Sequence, residues 1–382
     1  MVTQLPLPTW NVEVTDWLAL LAQRKEVLVD SSTSLIHEVL QKQQQRQQQG
    51  YTAPPKHPSR VPQLPMQVEV EPLALLHAIG RITTPMVPKL ADLSATWALY
   101  RYMWAFAPQA TRLCLSEHAK NIDFHQKGLL SDEIGVGMAY WLMSEHFGAR
   151  AVIDVDVALR HPQFASQMGI PRARRTSRSI PDYIFPLPGG EYAVVECKGS
   201  QSGSTTSMDQ IRRGLEQVPS ITFANGQTAQ EFVIATLLSR TQTTVYVVDP
   251  PADSLDRSEY ETGKSESNSS KRRFFVRDKR TFDQSVRRIH AASILAFAGA
   301  WSQAIETARI TLPEGVRPRD ESPTEARVEE IDTDFRGYSF TVPFRGPVGL
   351  QLSVFQGIDA DMYDLITTER FLEGEAEFWP EP

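Results

Sequence analysis

Pro181-Asp182-Tyr183-Ile184-Phe185-Pro186-Leu187, then Pro188-Gly189-Gly190, then Glu191-Tyr192-Ala193-Val194-Val195-Glu196-Cys197-Lys198 reads as strand, turn and strand. The second run is β-rich and apolar until it ends in Glu196-Cys197-Lys198. Side chains alternate faces along a strand, so Glu196 and Lys198 share one face and Cys197 takes the other, toward the core. The three-residue loop sets the register. If Leu187 faces Glu191 across it, Phe185 faces Ala193 and Asp182 faces Glu196.

Directly opposed residues share a face, with Cβ atoms roughly 5 Å apart. Two carboxylates held that close repel each other, and a sheet avoids the arrangement unless a cation sits between them. A hard, oxygen-seeking ion such as Mg²⁺ is the expected occupant. Lys198, on the same face, would stand beside it, where an ammonium can orient an attacking water or neutralise charge developing on a phosphate.

With Pro181-Asp182 and Glu196-Cys197-Lys198 as its two halves, the hairpin resembles the PD-(D/E)xK superfamily of restriction-endonuclease-like nucleases, over roughly residues 120–250. The resemblance implies that Asp182 and Glu196 bind Mg²⁺, with Mn²⁺ as a substitute, that the Cys197 backbone carbonyl adds a ligand, and that Lys198 is the catalytic lysine. The helix before such a hairpin often supplies another acid, and Glu133 is the candidate for catalysis and metal binding. A glutamine on the helix after the Glu-x-Lys strand can approach the site, which nominates Gln210. Gly214 stands where some branches carry a tyrosine, a departure from the RecB-like pattern. The implied fold is α/β, a restriction-endonuclease-like core with a central mixed sheet flanked by helices. The implied activity is endonucleolytic hydrolysis of nucleic acid, DNA rather than RNA. By analogy the setting is restriction or phage defence, with a helicase, ATPase or other protein partner, and with pairing of two copies compatible with cutting both strands. The alternative is a non-catalytic nucleic-acid-binding or scaffold subunit that retains the fold; against it, both acids and the lysine are present.

The chain has 382 residues, 41% of them hydrophobic and 22% charged, which suits an ordinary globular protein with room for two or three domains. Its N-terminus lacks a basic region followed by an apolar run, so no signal peptide is expected. The apolar run around Ala291–Trp301 is too short for a bilayer, and no membrane association is expected. Cys114 and Cys197 make neither a disulfide framework nor a Cys-x-x-Cys zinc pattern, and a reducing cytoplasm fits. Strand parity also argues against Cys197 as a nucleophile, since its thiol faces away from the charges.

Net charge is −7, which disfavours nonspecific adhesion to nucleic acid, but binding follows the local field. Arg172, Arg174, Arg175 and Arg178 immediately precede the Asp182 strand and are the candidate nucleic-acid contacts. A second basic group, Lys271, Arg272, Arg273, Arg277, Lys279 and Arg280, runs on toward Arg287 and Arg288. These open a helix expected over Phe282–Ala308, its early residues toward phosphate and its later half on the core.

The remaining organisation follows composition. Residues 1–40 read as a helical N-terminal segment, and 41–66 as a Gln/Pro-rich linker, with a polar helix extension over the glutamines as the alternative. Residues 67–120 read as a helical region packing on the core. Their aromatics Trp97, Tyr100, Tyr102, Trp104 and Phe106 could form a base-stacking platform, though at that density core packing is the more frequent outcome. Residues 121–310 hold the nuclease-like domain. Its first helix is predicted over 131–148, with Ser131 as N-cap, Asp132 and Glu133 in the first turn, Gly137 allowing a close approach, and Gly148 as stop. Ala151–Val157 reads as a strand, 207–218 as a helix, and Phe232–Leu238 and Thr243–Val248 as strands. Residues 311–330 read as a linker, and 331–382 as a small C-terminal β-containing segment.

Overall fold

In a computed structural model the described residues are 14–50, 57–83, 97–159, 162–167, 181–218, 220–250, 273–297, 300–309, 324–328, 333–343 and 351–368. The elements in chain order begin with α1 (Val14–Leu21), β1 (Lys25–Asp30), α2 (Thr33–Gln48), β2 (Gln67–Val70), α3 (Pro72–Ile82) and α4 (Trp97–Tyr102). The middle of the chain gives α5 (Phe124–Phe147), β3 (Ile153–Asp154), α6 (Val155–Ala158), α7 (Pro162–Gln167), β4 (Tyr183–Leu187), β5 (Glu191–Ser200) and α8 (Ser204–Gln217). Then come β6 (Ser220–Phe223), β7 (Gln230–Leu237), β8 (Thr244–Val248), β9 (Arg273–Val276), α9 (Lys279–Phe297), α10 (Trp301–Ala308), β10 (Thr324–Val328), β11 (Thr333–Pro343), β12 (Gln351–Asp359) and α11 (Ala360–Thr367).

The architecture is α/β, centred on a seven-stranded mixed sheet in the order β2-β1-β8-β7-β5-β4-β3. The hairpin register is the one its turn predicts, with Leu187 opposite Glu191 and Phe185 opposite Ala193. Gly189 and Gly190 both sit at φ +72°, a conformation that costs a glycine little and that lets three residues reverse the chain. On the far side β5 pairs in parallel with β7, Glu196 opposite Val233 and Lys198 opposite Ala235.

Period-two alternation sends β5 into two different cores. Ala193, Val195 and Cys197 pack with α3 and α5 through Leu75, Ile79, Ile134 and Met138. Tyr192 and Val194 pack with α2, α8 and α9 through Leu35, Met208, Ile211, Phe282 and Val286. The sheet is thus covered on both faces, which suits its parallel β5–β7 pair.

Several elements differ from the sequence reading. Residues 1–40 are not wholly helical: β1 lies inside the sheet, antiparallel to β2 and parallel to β8, with Val27 and Val29 buried. Region 67–120 likewise opens on a strand, β2. The glutamine run up to Gln48 continues α2, whose N-cap Ser32 accepts from the Leu35 N–H at 3.2 Å, so the helical alternative holds there. Only Ile153 and Asp154 of the strand expected over 151–157 pair with β4, because the Asp154 carboxylate accepts from the Val157 N–H at 3.0 Å and starts a helix. The long C-terminal helix is two, α9 and α10, and β10 falls at 324–328 within the expected linker. Arg287 and Arg288 are buried in α9 rather than turned to a phosphate backbone. Among the aromatics, Tyr102 and Phe106 are core residues. No helix among the described residues is long and apolar enough to cross a membrane.

The helix α5 decides the geometry of the site. It starts at Asp123, whose side chain accepts from the His125 N–H at 2.9 Å, not at Ser131. Ser131 is mid-helix and donates its hydroxyl to the Lys127 carbonyl at 2.7 Å. Gly148 ends the helix at φ +67°, as predicted. Gly137 does allow a close approach, by α3, and Gly135 allows the one to β5. A Cβ on Gly135 would stand 2.8 Å from the Lys198 carbonyl oxygen, and one on Gly199 would stand 1.8 Å from the Ser131 carbonyl oxygen. Gly137 instead admits Leu75 and Ile79 of α3.

Two glycines of this region make a controlled comparison. Gly199→Ala drives a Cβ into a backbone carbonyl that cannot move aside, and we expect a loss of about 3 kcal/mol or more. Gly128, in helix α5, has open space where its Cβ would be. Gly128→Ala should stabilise by about 0.5–1 kcal/mol through helix propensity. Urea unfolding of the two variants checks both signs.

Candidate active site

Asp182 lies one residue before β4, and the hairpin register carried on by one step sets it opposite Glu196. Its Oδ2 accepts the Cys197 backbone N–H at 2.8 Å, which fixes the carboxylate at the end of β5. In a strand the N–H and C=O of one residue leave on the same edge, so the Cys197 carbonyl also faces the Asp182 side. The Cys197 thiol points the other way, into the α5 layer, and burial pushes its pKa well up. Both cysteines are free and buried.

Glu196 and Lys198 share the opposite face. The Lys198 Nζ donates to Glu196 Oε1 at 2.5 Å, and their side chains are 22% and 3% exposed. The lysine side chain is therefore the more open of the two. The second oxygen of Glu196, Oε2, is buried without a hydrogen-bond partner. Burial, then the neighbouring Asp182, pushes the Glu196 pKa up to about 7, against the pull of Lys198. Asp182 is raised for the same first reason, opposed by Lys198 and by its bond from Cys197. Burial works against the Lys198 ammonium, but Glu196 and Asp182 outweigh it and its pKa rises.

The helix contributes an acid, and it is Asp132 that faces the charges. Burial raises the Asp132 pKa, and its charged neighbours are Lys198, which lowers it, and Asp182, which raises it. Glu133, the residue nominated from sequence, is raised by burial too, but its neighbours are Tyr102, Arg101 and Asp132. The Tyr102 hydroxyl lies near Glu133 without hydrogen-bond geometry, and both Tyr102 Oη and Glu133 Oε2 are buried and unpartnered. The sequence held a signal for Asp132, the Ser131-Asp132-Glu133 run, but not its helical phase.

Helix α8 closes the other side. Gln210 Nε2 donates to the Gly199 carbonyl at 2.7 Å, and its Oε1 is buried without a partner. Gly214 brings α8 against the sheet: a Cβ there would meet Val233 at 2.5 Å and Glu196 Cγ at 3.5 Å. Gln201 Nε2 donates to the Lys127 carbonyl and to Ser131 Oγ, each at 3.0 Å, and so ties the strand's exit to α5. Arg172, Arg174, Arg175 and Arg178 lie outside the described residues, as do Lys271 and Arg272.

The donor set suits a hard divalent cation in composition. Mg²⁺ takes one or two protein carboxylates and keeps several waters. Asp182, Glu196 and the Cys197 carbonyl supply oxygens on one edge, and the orphaned Glu196 Oε2 is an acceptor awaiting a cation or a proton. Among the described residues no three His, Cys, Asp or Glu side chains converge as a ready-made ligand cluster. No family model, no curated protein and no solved structure matches the chain.

The raised Glu196 pKa has a definite consequence for metal-free protein. The folded chain holds that proton up to about pH 7, whereas the unfolded chain releases it near 4.5. Folding therefore takes up protons between those values, so this contribution is fully present below the unfolded pKa and is lost as pH rises through the folded one. Asp132 and Asp182 are shifted in the same direction. We expect the Tm in EDTA to fall between pH 5 and 8, by at most about 1.4 kcal/mol of stability per pH unit from Glu196. Glu196→Gln should match wild type at pH 5 and exceed it at pH 8; thermal melts across that range check it.

Proposed function

We propose that this chain is a divalent-metal-dependent nuclease with a restriction-endonuclease-like core, cutting DNA internally. The observation that carries the reading is the buried Asp182–Glu196 carboxylate pair at the end of a hairpin, with Lys198 on the same face and one Glu196 oxygen unpartnered. The mixed sheet covered by helices and the order α5, β3, β4–β5, α8, β7, β8 agree with it. Asp182, Glu196 and the Cys197 carbonyl would hold Mg²⁺ or Mn²⁺, which would polarise the phosphodiester and lower the pKa of a bound water.

The chain's own residues then divide the work. Lys198, the most solvent-accessible charge of the pair, meets the scissile phosphate and offsets negative charge as water adds in line with the leaving oxygen. Asp132 faces the same ammonium and orients it or the incoming water. Gln210 holds the Gly199 carbonyl, and through it the backbone that carries Lys198. Glu133 stands beside Tyr102 and Arg101 and has no part in this division of work. A cytoplasmic setting, in restriction or phage defence with a helicase or ATPase partner, follows from analogy with such nucleases alone.

One observation favours a second reading, a scaffold that binds nucleic acid without cutting it. The Lys198–Glu196 ion pair already neutralises half of the carboxylate pair, so the fold does not demand a metal. Calorimetric titration with Mn²⁺ separates the two readings, since the scaffold takes up none.

The test is cleavage of circular, linear and single-stranded DNA and of RNA in Mg²⁺, Mn²⁺ or EDTA. We expect metal-dependent cutting of circular DNA. Asp182→Ala, Glu196→Ala and Lys198→Ala should each lose at least about 10²-fold in rate. Asp132→Asn should lose far more activity than Glu133→Gln; the reverse order would return the helix acid to Glu133. Wild-type rates in Lys198→Ala would remove its catalytic role.

A further inference from the structure

Helix α5 sends Leu130, Ile134 and Met138 into the core, but its first two turns carry two exposed apolar side chains. Phe124 is 82% exposed and Leu129 43% exposed, while Leu130, Ile134 and Met138 are fully buried. Phe124 has the His125 ring beside it, centroids 5.8 Å apart at 72°. Basic residues lie on the same first turns and on the segments bonded to them. Lys127 Nζ reaches the Lys120 carbonyl at 2.9 Å, and Arg101, stacked on Trp97 and Tyr102, donates its Nε to Gln126 Oε1 at 3.0 Å. Lys120 and Arg240 both pair with Glu117. Arg101, Lys120, Lys127 and Arg240 thus stand with three acids, Glu117, Asp123 and Glu133, a local excess of one positive charge on a chain whose net charge is −7.

Resting on the nuclease reading above, we propose that Phe124 is a base-stacking wedge and that Lys127 and Arg101 hold the flanking phosphates of the strand being cut. The same rigid helix carries Asp132, eight residues on, so the ring lies about 12 Å along the axis from the candidate site. At about 3.4 Å per nucleotide along a duplex strand, that is three to four nucleotides from the scissile phosphate. An aromatic face with adjacent cations fits an unstacked nucleobase and its phosphates, and apolar wedges of this kind insert between base steps. A protein partner fits less well. Two apolar side chains among charges fall far below the roughly 800 Å² per side of a stable interface.

Phe124 makes little contact with the fold, so its replacement leaves the structure standing. The experiment uses the full chain carrying Asp182→Ala, which binds without cutting, alone and with Phe124→Ala or Phe124→Trp added. Fluorescence anisotropy measures Kd for a labelled single-stranded DNA and for the same sequence as a duplex. We expect Phe124→Ala to weaken single-strand binding roughly tenfold, Phe124→Trp to restore it, and the Tm to stay constant. Lys127→Ala should weaken all sequences alike and reduce the salt slope by about one. Equal Kd values with and without Phe124, in a protein whose wild type cuts DNA, overturn the wedge and leave the nuclease reading intact. Absence of both cutting and DNA binding removes both. If light scattering shows that Phe124→Ala dissociates an oligomer, the tip is a contact between copies of the chain and the wedge is overturned.

Discussion

At one point helix α5 crosses strand β5 backbone to backbone, and the arrangement of the charged groups at the candidate site depends on that contact. Gly135 on the helix and Gly199 on the strand leave only backbone at the crossing, where a Cβ on Gly199 would come within 1.8 Å of the Ser131 carbonyl. Packed interiors have few voids and little give, so a contact of this kind fixes the helix in rotation as well as distance. Rotation determines which of two adjacent acids looks at Lys198. The contact turns Asp132 toward Lys198 and Asp182, and leaves Glu133 with Tyr102 and Arg101. Gln201 and Gln210 then brace the same crossing from the strand's exit and from α8.

What gathers there is electrostatically unbalanced. Glu196 is buried, Asp182 half-buried and Asp132 exposed at the rim, all three are pushed toward the neutral form, and Lys198 opposes that push at each. Desolvation disfavours every negative charge in the group, and each carboxylate raises the cost of the next. Protons are one way to relieve the imbalance and a divalent cation is another, so metal uptake at this site would release protons. Buried ionic clusters of this kind are poor sources of stability, and they occur chiefly where function requires them.

The hairpin was legible in the sequence because two strict rules act on it. Alternation assigns faces, and a three-residue turn assigns partners, so Asp182, Glu196 and Lys198 could be placed without any tertiary knowledge. Helix α5 was legible in kind but not in phase. Ser131 looks like an N-cap, yet the helix begins at Asp123, and an acid in a first turn means something different from one in a third. With the helix begun at Asp123, Asp132 rather than Glu133 is the acid on which Lys198 and Asp182 act, and Gly135 joins Gly137 as a point of close approach. β1 was missed because a six-residue edge-like run, Lys25–Asp30, carries a weak local signal and is stabilised by strands far away in the chain. The same holds for β3, where the Asp154 cap competes with strand pairing after two residues.

Gly214 connects the family resemblance to the electrostatics of this particular chain. Some PD-(D/E)xK branches have a tyrosine at that point of the helix, and here the space does not exist: even a methyl group would press on Val233 at 2.5 Å. α8 consequently packs close on β5 and β7, with Glu196 Cγ 3.5 Å from where that methyl would be. A tyrosine hydroxyl could have donated to the carboxylate, whereas close packing of a glycine offers nothing. Glu196 Oε2 has no hydrogen-bond partner, and burial, to which the close approach of α8 at Gly214 adds, heads the causes of its raised pKa. Lys198 compensates one oxygen only. A cation that reaches the other must compete with a proton near neutral pH, so occupancy of the site would respond to pH across the range in which Glu196 titrates.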